Sequence, residues 1–165
     1  MGKLYTALGL MSGTSMDGVD ASIIKSDGVQ VFAPLLDRYF KYGVKIRQKM
    51  LDIRAKILVP DHLIKHESEI NDIEREITLF HANVVMEILK DNKIDVDLLG
   101  FHGQTIFHDS KKKITKQLGD GKLLSQLTKK KVVYNFRQND LKNGGQGAPL
   151  TPIFHNLIAN KYLKE

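Results

Sequence analysis

The sequence predicts an α/β fold with a mixed sheet that begins with antiparallel strands and is flanked by helices. Short apolar runs rich in Val, Ile, Phe and Tyr, bounded by Gly, Asp, Asn or Pro, recur along the chain and indicate strands. Two longer segments repeat apolar residues every three or four positions, the period of an amphipathic helix. Strands that alternate with helices are typical of sheets with parallel neighbours.

Residues 8–21, LGLMSGTSMDGVDA, are central to this prediction. One apolar run leads into the small residues Ser12 to Ser15 and another leads out, which indicates two strands joined by a turn. Residues 29–42 predict a third strand, with Pro34 marking an edge or a break. Three successive strands predict an antiparallel meander.

Two helices are expected to cover the sheet. A first helix is predicted over 45–58, and a longer one over 61–92, where a stripe of Ile, Phe and Val extends from Ile70 to Ile88. His81 lies beside this stripe, so we expect it to be a packed or half-exposed helix residue rather than a ligand.

The second half of the chain predicts an interior strand over 97–101 that is followed by polar residues. Ligands of open α/β sheets bind at the carboxyl ends of strands, which makes His102 and Gln104 candidates for a site. Alternatively, His102 and His108 only cap and pair within a hairpin. The spacing of the histidines does not match a zinc site.

The C-terminal third predicts short elements around a glycine loop. We expect a strand over 114–118, a helix over 122–128 that Asp120 caps, a buried strand over 132–134, and a helix from Pro152 that Thr151 caps. The loop contains Gly144, Gly145 and Gly147, with Gln146 exposed among them. A helix N-terminus beside such a loop suits an anionic or hydroxyl-rich ligand.

The turn between the first two strands has the composition of a phosphate and metal loop. Gly13 and Gly18 can adopt backbone angles closed to other residues, and the hydroxyls of the turn add hydrogen-bond donors. Asp17 and Asp20 could hold a hydrated divalent cation. The same residue types are also common in plain hairpin turns, and the stretch matches neither the Walker nor the dinucleotide-binding pattern.

Composition limits the alternatives. The chain has 165 residues, a net charge of +6 and no cysteine, so it can build one domain without disulfides or thiolate sites. It shows no leader-like segment and no apolar run of about 20 residues, from which we expect a soluble cytoplasmic protein with no membrane partner. Lysine clusters at 111–113 and 129–131 lack interleaved aromatics, so we expect no nucleic-acid partner.

Three stretches in order resemble the motifs of the anhydro-N-acetylmuramic acid kinases. They are GLMSGTSMDGVDAS at 9–22, LGFHGQTIFH at 99–108, and QLGDG at 117–121 with NFRQNDLKNGGQGAPLTPIFH at 135–155. The resemblance implies an actin-like (ribonuclease H-like) ATPase fold and a bacterial cell-wall recycling enzyme. It also implies ATP and Mg²⁺ as cofactors and an anhydro-amino-sugar substrate whose ring opening is coupled to phosphorylation.

The resemblance also implies roles for particular residues. Asp140 would be the catalytic base that activates water, His102 and Gln104 would lie in the substrate cleft, and Arg137 and Gln146 would orient the sugar or order the loop. The segment that would cradle the nucleotide phosphates, with Asp17 and Asp20 organising the metal, comprises Gly13, Thr14, Ser15, Met16, Asp17, Gly18, Val19 and Asp20.

Two departures from the family pattern keep alternatives open. Family proteins are longer and carry a second actin-like domain, so residues 1–165 correspond to a single N-terminal domain. We expect this half to need a separate chain with the second domain, or to self-associate as a homo-oligomer through its open face. Asn135 stands where family members usually have an aspartate. The loss of this negative charge is either a local adjustment of the site or a sign of relaxed function. The competing hypothesis is an inactive, truncated remnant that acts as a binding module; a nucleic-acid-binding domain ranks below both.

Overall fold

The computed structural model describes residues 2–163, which form six strands and six helices. The strands are β1 (Tyr5–Ser12), β2 (Gly18–Ser26), β3 (Phe32–Lys41), β4 (Leu98–Asp109), β5 (Ile114–Leu118) and β6 (Lys131–Tyr134). The helices are α1 (Val44–Lys56), α2 (Asp61–Lys65), α3 (Glu67–Asn92), α4 (Gly121–Thr128), α5 (Phe136–Lys142) and α6 (Pro152–Tyr162). None of these helices combines the length and apolar character that crossing a membrane requires.

The strands form one mixed sheet, as the sequence predicts. β1, β2 and β3 make an antiparallel meander. β1 also pairs in parallel with β4, and the first residues of β4 pair in parallel with β6. Residues 104–109 of β4 pair antiparallel with β5. β4 therefore has neighbours on both sides, with β1 along one side and β6 followed by β5 along the other.

The core lies between one face of this sheet and the helices α1 and α3. Alternate residues of the strands, such as Leu8 and Ile23, are fully buried there. The predicted stripe of α3 supplies the buried residues Ile70, Ile73, Ile77, Val84 and Ile88. The opposite face of the sheet is more open, since Met11 is 42% exposed and Val133 is 48% exposed.

His81 is part of this core, which confirms that it is a packed helix residue. Its side chain is fully buried, and its ring meets Phe101 edge-on with centroids 4.9 Å apart. Nδ1 hydrogen-bonds the carbonyl of Ile77 at 2.8 Å, whereas Nε2 has no partner in the part of the chain that the structure describes. Burial lowers the pKa of His81 to about 4.

Several predicted elements are confirmed at or close to their predicted ends. β5 and α1 agree with their predicted ranges within two residues, and Pro34 lies on the edge strand beside a register shift. Asp120 caps α4, where its carboxylate accepts hydrogen bonds from the N–H groups of Lys122 at 2.8 Å and Leu123 at 3.0 Å. These features depend on local sequence, which explains the agreement.

The prediction of one continuous helix over 61–92 is wrong. The chain forms α2 and α3, which meet at His66 with φ −109° and ψ 20°, outside the helical range. The buried stripe of α3 begins only at Ile70, and the side chains of α2 are exposed or half-buried. The core contact that stabilises α3 therefore does not extend to α2.

The elements around β4 also differ from the predictions. β4 does not end at Phe101, because β5 pairs with its second half. The strand predicted over 132–134 is confirmed as β6, but it is not buried: Val132 and Tyr134 are half-buried, and Val133 is exposed on the open face of the sheet. Helix α5 was not predicted, because seven residues are too few to show a helical period.

The prediction that Thr151 caps the last helix is wrong in its chemistry. Thr151 precedes Pro152 as expected, but its side chain accepts no capping hydrogen bond from the described residues. Its backbone, with φ −100° and ψ −4°, is not in the extended conformation that capping requires. α6 contacts the domain through Phe154, whose ring lies edge-on to Phe32 at 5.2 Å.

Candidate active site

β1 and β6 end beside the point where β4 passes from parallel to antiparallel pairing, and this point positions the candidate site. Leu10 of β1 pairs with Phe101 of β4, and Phe101 pairs with Tyr134 of β6. The segments that follow, from residues 12, 102 and 135, are therefore neighbours. Ligands of open α/β sheets bind at such strand ends, and every predicted site residue belongs to these segments or to the elements that continue them.

The loop between β1 and β2 is a tight turn, closed by a hydrogen bond from Met16 N to Gly13 O at 3.2 Å. Met16 is buried and has φ 55°, so the left-handed angle lies on Met16 rather than on Gly13 or Gly18. Gly18 is needed for space, because a Cβ there would overlap the ring of Tyr39. A Cβ at Gly13 would meet only the Ser15 hydroxyl, at 3.6 Å.

Gln104 ties this loop to β4. Its side chain is 0% exposed; Oε1 accepts a hydrogen bond from the Ser12 hydroxyl at 2.5 Å, and Nε2 donates to the Gly13 carbonyl at 3.0 Å. The Tyr42 hydroxyl donates to Ser12 Oγ at 3.1 Å. Both side chains are buried and bonded within the protein, so the Ser12 hydroxyl donates inside the fold, and the contact of Gln104 with a substrate stays a prediction.

Two arginines of α1 hold the outer side of the loop. Arg54 Nη1 donates to the Thr14 carbonyl at 3.0 Å, and Arg47 Nη2 donates to the Ser15 carbonyl at 3.5 Å. Sequence reasoning missed them because they lie on the polar face of an amphipathic helix, which predicts only exposure to solvent. Their positive charges beside two loop hydroxyls suit an anionic ligand.

Asp17 of the loop and Asp20 of β2 both act on Tyr39, which pairs with Asp20 across β2 and β3. A hydrogen bond from Ser15 lowers the pKa of Asp17. Partial desolvation raises the pKa of Tyr39, and the negative charges of Asp17 and Asp20 raise it further.

The donor set around these aspartates fits magnesium only in part. Within residues 2–163, no group of three or more His, Cys, Asp or Glu side chains forms a metal site. Mg²⁺ commonly takes one or two carboxylates and completes its shell with phosphate oxygens and water. Asp17 and Asp20 have the chemistry to supply these carboxylates, and their role as metal ligands stays a prediction.

His102, Arg137 and Asp140 are linked through Gly147. Arg137 donates from Nε to His102 Nε2 at 2.8 Å and from Nη1 to the Gly147 carbonyl at 2.8 Å. The Gly147 N–H donates to Asp140 Oδ2 at 2.7 Å. Burial lowers the pKa of His102, which favours the neutral imidazole that can accept a hydrogen bond from Arg137.

His102 and Asp140 line a common pocket of about 650 Å³, a volume suited to a small molecule. Val133, Phe136 and Leu150 give it a partly apolar wall. Gln146 is exposed in the glycine loop, outside this lining. The structure thus brings three predicted residues, His102, Arg137 and Asp140, into one cluster. The loop that follows β1 is adjacent to this cluster, because β1 pairs with β4.

The fold and this arrangement are consistent with an ATPase domain of the actin-like sugar kinases. A family model described as anhydro-N-acetylmuramic acid kinase matches residues 5–164. The chain belongs to the anhydro-N-acetylmuramic acid kinase family.

Curated relatives agree with this assignment. A protein from Pelagibacter ubique, named anhydro-N-acetylmuramic acid kinase, is 60% identical over 98% of this chain and 43% of its own length. Relatives of the same name from Agrobacterium fabrum and Gluconobacter oxydans are 42% and 40% identical, each over 96% of this chain and 43% of their own length. The chain thus spans less than half the length of these relatives and matches their N-terminal part.

Proposed function

We propose that this chain is the half of an ATP-dependent kinase that binds the nucleotide phosphates and carries the catalytic base. Its reaction would convert 1,6-anhydro-N-acetylmuramic acid into N-acetylmuramic acid 6-phosphate, a step in peptidoglycan recycling. The observation that carries the proposal is the common pocket of His102 and Asp140, at the strand ends beside the loop at residues 13–20. Family membership supports the reaction class.

In the proposed reaction, Asp140 takes a proton from water as the water oxygen bonds to the anomeric carbon of the sugar. The bond between this carbon and the 6-oxygen breaks, and the 6-oxygen bonds to the γ-phosphorus of ATP as ADP leaves. Oδ2 of Asp140 is engaged by Gly147, whereas Oδ1 makes no hydrogen bond within the described residues. Oδ1 is therefore the oxygen that accepts the proton.

The loop from Gly13 to Asp20 binds the nucleotide phosphates in this proposal. Its hydroxyls at Thr14 and Ser15 are exposed, and two arginines of α1 add positive charge behind it. Asp17 and Asp20 would hold Mg²⁺, which neutralises charge on the transferred phosphoryl group. His102 contacts the sugar from the pocket wall, and Gln146 orders the glycine loop or the sugar from its exposed position.

The remaining part of the site would come from a second domain on the same or another polypeptide, in a cytoplasmic enzyme. The relatives are more than twice as long as their match to this chain. Apolar side chains near the pocket are exposed, among them Leu150 at 41% and Ile153 at 80%. A second domain or a second copy of the chain would bury this surface, which supports the expected homo-oligomer as the state of the isolated half.

The test is ATP-dependent formation of N-acetylmuramic acid 6-phosphate from the anhydro sugar. The chain is assayed alone and together with the C-terminal remainder of the Pelagibacter ubique relative, expressed as a separate polypeptide. We expect turnover in the mixture and a loss of about 10³-fold in Asp140→Asn. Asp72→Asn, an exposed carboxylate on α3, is the matched control and retains activity.

Two outcomes contradict the proposal. Equal turnover of wild type and Asp140→Asn removes the role of the base. A folded mixture that binds the remainder but forms no product favours the inactive binding module instead.

A further inference from the structure

We infer that Arg137 is a positioning residue that orients the Asp140 carboxylate through the backbone of Gly147. Both backbone groups of Gly147 are engaged: its carbonyl accepts from Arg137 Nη1 at 2.8 Å, and its N–H donates to Asp140 Oδ2 at 2.7 Å. Gly147 is buried between them. A substitution that moves the Arg137 guanidinium therefore also moves the Asp140 carboxylate, because Gly147 is hydrogen-bonded to both.

The glycine loop packs closely against this carboxylate at Gly145. A Cβ at Gly145 would overlap both carboxylate oxygens of Asp140. Gly147 has φ 73°, and a Cβ there would lie 2.9 Å from the ring of His108. Gly144 has φ 91° but faces open space. The absence of a side chain at Gly145 thus makes room for the Asp140 carboxylate and at Gly147 for the His108 ring, whereas Gly144 serves only the backbone turn.

Arginine suits this position because its planar group donates in two fixed directions. Nε donates to His102 Nε2 while Nη1 donates to Gly147. His102 is itself fixed, since its Nδ1 hydrogen-bonds the Gly103 carbonyl on β4 at 2.7 Å. His102 and Arg137 therefore fix the orientation of Asp140 relative to β4. A lysine donates from one nitrogen at the end of a flexible chain and lacks the rigid fork that fixes these two directions.

The inference rests on the proposed role of Asp140 as the base, but its structural part can be measured without catalysis. The probe is the amide proton resonance of Gly147 in the chain as it stands, because this shift reports the hydrogen bond to Asp140. Asp140→Ala defines the value without the bond. We expect Arg137→Lys to move the resonance at least halfway to that value, and Lys142→Met, an exposed cation on α5, to leave it unchanged.

A second pair of variants guards against unfolding of Arg137→Lys. Gly145→Ala displaces the carboxylate and shifts the Gly147 resonance, whereas Gly144→Ala adds backbone strain but no collision and does not. An unchanged Gly147 resonance in folded Arg137→Lys overturns the inference. So does an equal shift in the two glycine variants.

Kinetics in the two-part assay separate positioning from substrate contact. We expect Arg137→Lys to lower kcat at least tenfold with the KM of the sugar within twofold, and to have no further effect in the Asp140→Asn background. A raised KM with unchanged kcat makes Arg137 a sugar contact and overturns the inference, as does a full additional loss in the double variant. Absence of turnover in wild type contradicts the proposed function, while the resonance of Gly147 still tests the hydrogen-bond chain.

Discussion

The buried histidine of α3 should make the fold acid-sensitive in a way that one substitution removes. Burial lowers the pKa of His81 from 6.5 to about 4, so the folded state holds it neutral. As the pH falls below 6.5, the unfolded chain binds a proton that the folded chain does not, and the free energy of unfolding decreases until the pH reaches about 4. At about 1.4 kcal/mol per pH unit, His81 alone removes about 3 kcal/mol between pH 7 and pH 4.

Urea denaturation of wild type and His81→Leu at pH 7, 6, 5 and 4 measures this contribution. Leucine fills a similar volume and removes the unpaired Nε2. We expect the free energy of unfolding of the variant to increase relative to that of the wild type by about 3 kcal/mol between pH 7 and pH 4. Carboxylates contribute equally to both proteins. Asn156→Leu, at an exposed position of α6 that does not titrate, is the control and keeps the wild-type slope. Parallel stability curves for wild type and His81→Leu would refute the reasoning.

The remaining predictions concern the loop after β1. Gly18→Ala should lower the free energy of unfolding by about 2 kcal/mol, because the added methyl group overlaps Tyr39. Gly13→Ala should change the free energy of unfolding by less than about 0.5 kcal/mol, yet weaken ATP binding measured by calorimetry in the two-part protein. Equal destabilisation by the two substitutions contradicts this prediction. Gln104→Leu should cost about 3 kcal/mol in chemical denaturation, since it leaves buried groups unpaired, and a cost below 0.5 kcal/mol argues against the network. Arg54→Met should speed hydrogen exchange of the loop amides about tenfold with little global destabilisation, and unchanged exchange would show that the arginine does not hold the loop.

The sequence by itself determined the elements whose signals are local. The stripe from Ile70 to Ile88 predicted the long core helix, Asp120 predicted the start of α4, and residues 114–118 coincide with β5. The meander of β1 to β3 and the class of fold also followed, because turn residues and side-chain periods are set by neighbours along the chain. The three motifs further indicated the family that the comparisons show.

Only the tertiary structure decided how residues distant in sequence combine. Gln104 is buried against Ser12, and Arg137 joins His102 to Gly147, through contacts that the register of the parallel strands creates. The break at His66 and the helix α5 likewise follow from which surfaces find a partner, not from local propensity. The physical reason is that the distance between donor and acceptor must be correct to within a few tenths of an ångström for a hydrogen bond to form. The packing of the whole sheet fixes this distance, and no local sequence pattern encodes it.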